Sequence, residues 1–305
     1  MRWPGTEVAC LLATCTASRP LHLAPSGATI SRGTGRAALP LAREGAARVS
    51  GRIRWADTNN DTMHQNHLVL IGSQTPSTGA TTFGTGFLAR LKNHIYVVTC
   101  RHVIREASLG AGLFAIPKPR KTKNPPGGYA VLQLARPRFH ANDGACTYDV
   151  AVAKVTNANR SNLRALSITP VELTEKTTMS TFEQGARLRA VGYPIDYANA
   201  ALAANSNEPL PPYELEGMYR PISLTGIAQH GFNAPLCEAF FAEAGCSAGK
   251  GMSGGLVYSP QANQVAGLVL ASGEFEVSTS PASAQWRGFI FASSRRVFET
   301  LTSGS

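Results

Sequence analysis

Three residues of this chain could do covalent chemistry together. Ser253 lies in AGKGMSGGLVY (residues 248–258), crowded by glycines and followed at once by a strand-like LVY. Glycine is ordinary turn punctuation. A nucleophilic hydroxyl also needs bare backbone around it, so that N–H groups can reach the oxygen of a substrate carbonyl. His102 follows the apolar run of VVTCRHVI, and Asp149 opens the strand-like DVAVAKV. Alone, a His after a strand reads as structural and an Asp before a strand reads as a turn residue. Taken in the order His, Asp, Ser, on separate elements that meet only on folding, they supply a base, a carboxylate to orient it and a nucleophile.

The elements that must position them are short β-type runs broken by Gly, Pro, Asn and Asp. They are HLVLIGS (67–73), FGTGFLARL (83–91), HIYVVTC (94–100), YAVLQLA (129–135), DVAVAKV (149–155), RLRAVGYP (187–194), SLTGIAQ (223–229), GLVYSP (255–260), VAGLVLAS (265–272) and RGFIFAS (287–293). Many short strands with turn signals between them predict an all-β sandwich or barrel pair. The strands divide into two sets near residue 165. One segment is helical: in SSRRVFETLTS, Val297, Phe298 and Leu301 share a face and Ser294 can cap the start.

The chain has 305 residues, 43% hydrophobic and 16% charged, which suits one or two globular domains. No apolar run is long enough for a transmembrane helix. The net charge of +10 is concentrated at the start, where residues 1–55 hold eight Arg against Glu7 and Glu44. Lys118, Arg120, Lys121 and Lys123 form a second basic stretch. Aromatic residues are not interleaved with these charges, so no nucleic-acid partner is expected. The cysteines (Cys10, Cys15, Cys100, Cys146, Cys237 and Cys246) contain no CxxC pair, and no metal or other cofactor is expected. Cys237 and Cys246 could close a short loop in an oxidising compartment or remain free thiols. Residues 1–62 read as a flexible leader: a targeting segment, a propeptide or a tail. Its short apolar stretch, Val8 to Leu12, leans towards a secreted or periplasmic chain, although Glu7 interrupts the pattern.

The motifs GTGFLARLKNHIYVVTCRHVI, YDVAVAKV, LRAVGYP, LTGIAQ, GMSGGLVYSPQANQVAGLVLAS and GFIFASSRRVFETL resemble the chymotrypsin-like (trypsin-like) serine proteases. They are most similar to the bacterial high-temperature-requirement, or Deg-type, branch. The resemblance spans about residues 66 to 301. It implies two antiparallel six-stranded β-barrels with a short C-terminal helix, the first over 63–165 and the second over 166–305. It implies a serine endopeptidase acting on proteins or peptides, with Ser253 as nucleophile, His102 as base and Asp149 as its orienter. The backbone N–H groups of Gly251 and Ser253 would form the oxyanion hole. The substrate pocket would be lined by Ser247 and Ala248 at its base and by Ala271, Ser272 and Gly273 along its wall.

The departures are informative. Met252 stands where digestive members carry an Asp that pairs with a new N-terminus, so activation by that ion pair is not expected. Cys100 has no cysteine partner just after His102, where Val103 stands, and Leu256 replaces a common Pro. The 52 residues after Ser253 are taken up by the second barrel, so no C-terminal PDZ domain is expected. Residues 195–217 exceed a barrel hairpin and read as a cleft-edge loop or an insertion. The alternative to an enzyme is a catalytically inactive binding module on the same fold.

Overall fold

The computed structural model describes residues 66–75, 79–107, 112–117, 130–139, 149–156, 168–179, 181–196, 210–222, 227–228, 239–245, 250–279 and 282–303, with the single residues 163 and 198. The leader, the basic stretch from Lys118 to Lys123, Cys237, Cys246, Ser247 and Ala248 lie outside this description.

The first sheet is built from β1 (Leu68–Thr75), β2 (Gly79–Leu91), β3 (His94–Cys100), β4 (Gly112–Pro117), β5 (Leu132–Gln133), β6 (Arg138–Phe139), β7 (Val150–Lys154) and β8 (Val171–Glu172). Its order is β5-β4-β1-β2-β3-β7-β6, with β8 added parallel to β2. The Lys92–Asn93 turn joins β2 to β3 where Leu91 pairs with His94. The sheet curls so that Leu134, just after β5, bridges Val155, just after β7. A seven-residue helix, α1 (Arg101–Ala107), follows β3 directly.

The second sheet contains β9 (Arg187–Gly192), β10 (Tyr213–Arg220), β11 (Ile227–Ala228), β12 (Ala239–Ala244), β13 (Leu256–Ser259), β14 (Gln264–Thr279) and β15 (Ala282–Ser293). Its order, β11-β14-β13-β9-β10-β12-β15, is closed by β14 pairing with β15, so six strands form a complete antiparallel barrel. The expected chymotrypsin-like fold is therefore present as one closed barrel and one curled sheet. The sequence reading did not single out β4, β6, β8, β10 or β12. Strand β10 is the instructive omission, because its first five residues end the segment read as a loop or insertion. Tyr213, Leu215, Gly217 and Tyr219 are buried, while Glu214, Glu216, Met218 and Arg220 alternate with them towards solvent. The two-residue period is present, but half of it is carried by charge, and low hydrophobicity masks it.

The C-terminal helix, α2 (Ser294–Thr302), begins one residue away from the expected cap. Ser293 is the N-cap and accepts from Arg296 N–H. The Ser294 hydroxyl instead accepts from Met179 N–H at 2.7 Å and so ties the helix to the strand-free stretch before β9. Val297 and Leu301 are fully buried, and α2 packs against β14 of one sheet and β7 of the other. One apolar cluster runs through both sheets, from Leu68 and Val98 to Leu268 and Leu301.

Phe291 closes the barrel seam. It is fully buried and faces Phe240 across one ladder and Val269 across the other. Its ring meets Phe182, Phe240 and Phe289 at centroid separations of 5.4, 5.7 and 5.9 Å. Phe291→Ala is expected to lower the unfolding free energy by about 3–5 kcal/mol, read from the denaturant midpoint. A loss under about 1 kcal/mol would mean that the seam is held by ladder hydrogen bonds alone.

Candidate active site

Asp149 is the turn before β7 and the partner of α1 at once. Its backbone sits in the left-handed region, at φ 51°, which Asp tolerates better than most residues. Three hydrogen bonds hold it there. Arg101 N–H donates to its carbonyl at 2.9 Å, His102 N–H donates to Oδ1 at 2.9 Å, and His102 Nδ1 donates to Oδ2 at 2.6 Å. The two backbone donors belong to the opening turn of α1, whose N–H groups lack partners within the helix. For Nδ1 to donate in the last bond the neutral imidazole carries its proton there, which leaves the basic lone pair on Nε2. The Asp149 side chain is 6% exposed and that of His102 is 35%, so the carboxylate is shielded while the ring opens outward.

The Ser253 loop is fixed through four consecutive carbonyls. Ile195 N–H donates to Lys250 O at 2.7 Å, and Gly255 N–H donates to Met252 O at 2.8 Å. The Thr85 hydroxyl donates to Gly251 O at 2.8 Å, and Thr85 N–H donates to Ser253 O at 3.0 Å. Across a trans peptide, C=O and N–H point in opposite directions. Anchoring the carbonyls of Lys250 and Met252 therefore turns the N–H groups of Gly251 and Ser253 the other way, as two donors two positions apart. Gly251 has φ 103°, and a Cβ there would lie 2.4 Å from Ile195 N. Gly254 has φ 87°, and a Cβ there would lie 1.8 Å from Thr85 O. Both glycines are required by conformation and by close approach.

Thr85 belongs to β2, so the first sheet orients the loop of the second. Its own oxygen accepts from Tyr193 N–H at 2.8 Å, and the Thr99 hydroxyl, one residue before Cys100, donates to Thr85 O at 2.7 Å. The neighbouring Gly84 lies between Val103 of α1 and Ser253 O, which brings the helix bearing His102 alongside the Ser253 backbone. Met252 is buried among the apolar residues of the barrel.

Ser253 is half-buried, and its hydroxyl donates to Leu270 O at 3.0 Å. A bulge explains that acceptor: Val269 pairs with Phe291 and Ala271 with Ile290, so Leu270 has no ladder partner on β15. Cys100 is fully buried and donates from Sγ to Val269 O at 3.0 Å. Burial pushes its thiol well above the ordinary range, the Asp149 charge adds to the shift, and a hydrogen bond from Gly254 N–H opposes it. Cys100, His102 and Asp149 each offer one atom able to ligate a metal.

The structure thus pairs His102 with Asp149 and brings Gly251 and Ser253 into one anchored loop. Ala271, Ser272 and Gly273 lie on β14 just beyond the Leu270 bulge. Ser247 and Ala248 fall outside the described residues. Thr85 and Leu270 were missed by the sequence reading. The glycines flanking Thr85 in FGTGF hinted at a close approach, whereas nothing in VAGLVLAS marks a bulge.

Thr85→Val keeps the side-chain volume and deletes the hydroxyl, leaving Gly251 O and Tyr193 N–H without their partner. The expected cost is about 1–3 kcal/mol of unfolding free energy, largely recovered in Thr85→Ser, as measured by denaturant titration. Equal loss in both variants would place the effect in packing.

The sequence model of the trypsin-like peptidase domain family matches residues 84–268. No curated protein matches the chain. Among solved structures, an inactive form of Rv3671c from M. tuberculosis is 16% identical with a TM-score of 0.45, over 82% of this chain and 95% of that one. A second inactive-form structure of Rv3671c protease is 15% identical with a TM-score of 0.44, over 80% and 92%. The HtrA-type protease AlgW, solved with a decapeptide, is 13% identical with a TM-score of 0.46, over 79% of this chain and 65% of that one. With a family match running from β2 through the Ser253 loop into β14, the chain belongs to the trypsin-like peptidase domain family.

Proposed function

We propose that this protein is a serine endopeptidase that hydrolyses peptide bonds through an acyl-enzyme intermediate. The observation that carries the reading is the 2.6 Å bond from His102 Nδ1 to the buried Asp149 carboxylate, which sets the tautomer whose basic lone pair is on Nε2. For the reaction, the Ser253 hydroxyl turns from Leu270 O to His102 Nε2. Its oxygen attacks the substrate carbonyl as the proton passes to Nε2. Asp149 stabilises the imidazolium, and the N–H groups of Gly251 and Ser253 receive the developing oxyanion. The proton then goes to the leaving amine, and water releases the acyl group by the same path. The buried position of Met252 supports an enzyme that needs no ion pair with a new N-terminus.

A second reading is an inactive binding module on the peptidase fold. The bond from Ser253 Oγ to Leu270 O favours it, because that hydroxyl already has an acceptor other than a base. A fluorophosphonate probe distinguishes the two, since only an activated serine is labelled. Labelling is expected in the wild type and absent in Ser253→Ala. His102→Ala should slow it by ~10³-fold or more, and peptidase activity of the double variant should be scarcely worse than that of either single one. An unlabelled wild type that still binds peptides would establish the module instead.

The wall segment Ala271, Ser272 and Gly273 offers no charge to a substrate side chain. Glu274, the next acid, is 52% exposed and engaged with Arg287 at 2.6 Å. A Lys or Arg side chain would lose its water there without a carboxylate to receive it. On the character of this wall, the enzyme is expected to cleave after small or medium apolar residues such as Ala, Val or Leu. Each methylene should contribute ~1–3 kcal/mol at most. Peptide-library profiling checks this, and dominant cleavage after Lys, Arg or Glu would overturn the pocket assignment.

A further inference from the structure

Among the described residues, the Cys100 thiol is an ionisable group that lies beside the His102–Asp149 pair and has no part in the proposed reaction. Its Sγ, a ring nitrogen of His102 and a carboxylate oxygen of Asp149 all lie within 4.8 Å of one another. A thiolate, an imidazole and a carboxylate form a mixed donor set that suits Zn²⁺ and its softer analogue Cd²⁺. Around a tetrahedral ion such donors stand about 3–4 Å apart, so closing the set needs a shift of only about an ångström.

We propose that Cys100, His102 and Asp149 form an inhibitory site for a thiophilic divalent cation. Charge is the first argument. Asp149 is buried, and the Cys100 sulfur beside it is buried too and donates to Val269 O. A dication with one thiolate and one carboxylate makes a neutral cluster, which a buried site tolerates far better than an unpaired charge. Access is the second argument: the His102 ring is the open member of the three, so an ion can enter as the ring swings, and a water can take the fourth position.

The proton balance links binding to inhibition. The Cys100 S–H proton leaves to solvent as the sulfur–metal bond forms. The proton on His102 Nδ1 moves to Nε2 as the ion takes Nδ1, and the imidazole stays neutral. With Nε2 protonated, His102 cannot accept the Ser253 proton, and its bond to Asp149 is gone. The inhibitory part of the proposal rests on the reading of His102 as the base; the ion site itself does not.

The test uses the full chain, kept reduced with a non-chelating phosphine, and two readouts. One is the ultraviolet charge-transfer band of a cadmium–thiolate bond during Cd²⁺ titration. The other is the fluorophosphonate labelling rate with Zn²⁺. Zn²⁺ should slow labelling by at least about tenfold, reversibly with EDTA. Cys100→Ala should keep its basal labelling and require about 10–100-fold more Zn²⁺ for the same effect. Because the chain has five other cysteines, the cadmium signal is read as the wild-type-minus-variant difference, expected to equal one thiolate. Cys100→Ser, which keeps the volume, replaces the Ala variant if that fails to fold. Identical responses of wild type and variant, or no cadmium difference between them, overturn the proposal. If the untreated wild type is not labelled at all, the peptidase reading fails, and the cadmium difference still decides whether the ion site exists.

Discussion

Thr85 is the joint on which the geometry of this protein turns. Two of its polar groups, the backbone N–H and the hydroxyl, take the carbonyls of Ser253 and Gly251. Its carbonyl and hydroxyl oxygens in turn receive donors from Thr99 and Tyr193. The residue is fully buried, so each of these bonds forms where water cannot substitute and where a missing partner costs ~1–3 kcal/mol. A fully engaged group of this kind has few alternative arrangements. In the proposed reaction, that rigidity would aim two backbone N–H groups before any substrate arrives, which is where electrostatic stabilisation of an oxyanion gains its strength.

The His102–Asp149 pair is held by a different balance. Placing a non-glycine residue at φ 51° costs of order 1 kcal/mol, and the structure offsets it with three hydrogen bonds from Arg101 and His102. Two of those bonds also satisfy donors at the start of α1, so the helix and the carboxylate stabilise each other. The helix is too short to persist alone and owes its place to this contact and to the burial of Val103 and Ile104.

The two sheets contribute unequally. The second closes on itself through β14 and β15, so it has no free edge among those strands, and it carries the loop whose geometry is most demanding. The first curls until the ends of β5 and β7 meet at the Leu134–Val155 bridge, and it carries His102 and Asp149, which are joined by side-chain bonds. Helix α2 packs on both sheets, and the shared apolar cluster ties them together. The Leu270 bulge lies at this junction, where one unpaired ladder position frees a carbonyl to face Ser253.

The sequence by itself determined most of the strands, and it singled out His102, Asp149 and Ser253 as candidates for the site. The apolar run into VVTCRHVI, the glycines around Ser253 and the strand after Asp149 are local patterns, and local patterns survive in one dimension. It also marked the glycines around Ser253 as a place of bare backbone, though not which atoms Gly251 and Gly254 approach. Only the tertiary structure decided the rest. Strand β10 was hidden because burial on one face needs just four residues, and charged neighbours dilute their signal. The helix cap fell on Ser293 and not Ser294 because Met179, distant in sequence, claims the second hydroxyl. Thr85 and Cys100 gained their places from contacts with Gly251, Ser253 and Val269, more than a hundred residues away. Hydrogen bonds of that span are products of sheet register and bulges, and no short window of residues contains the information that sets them.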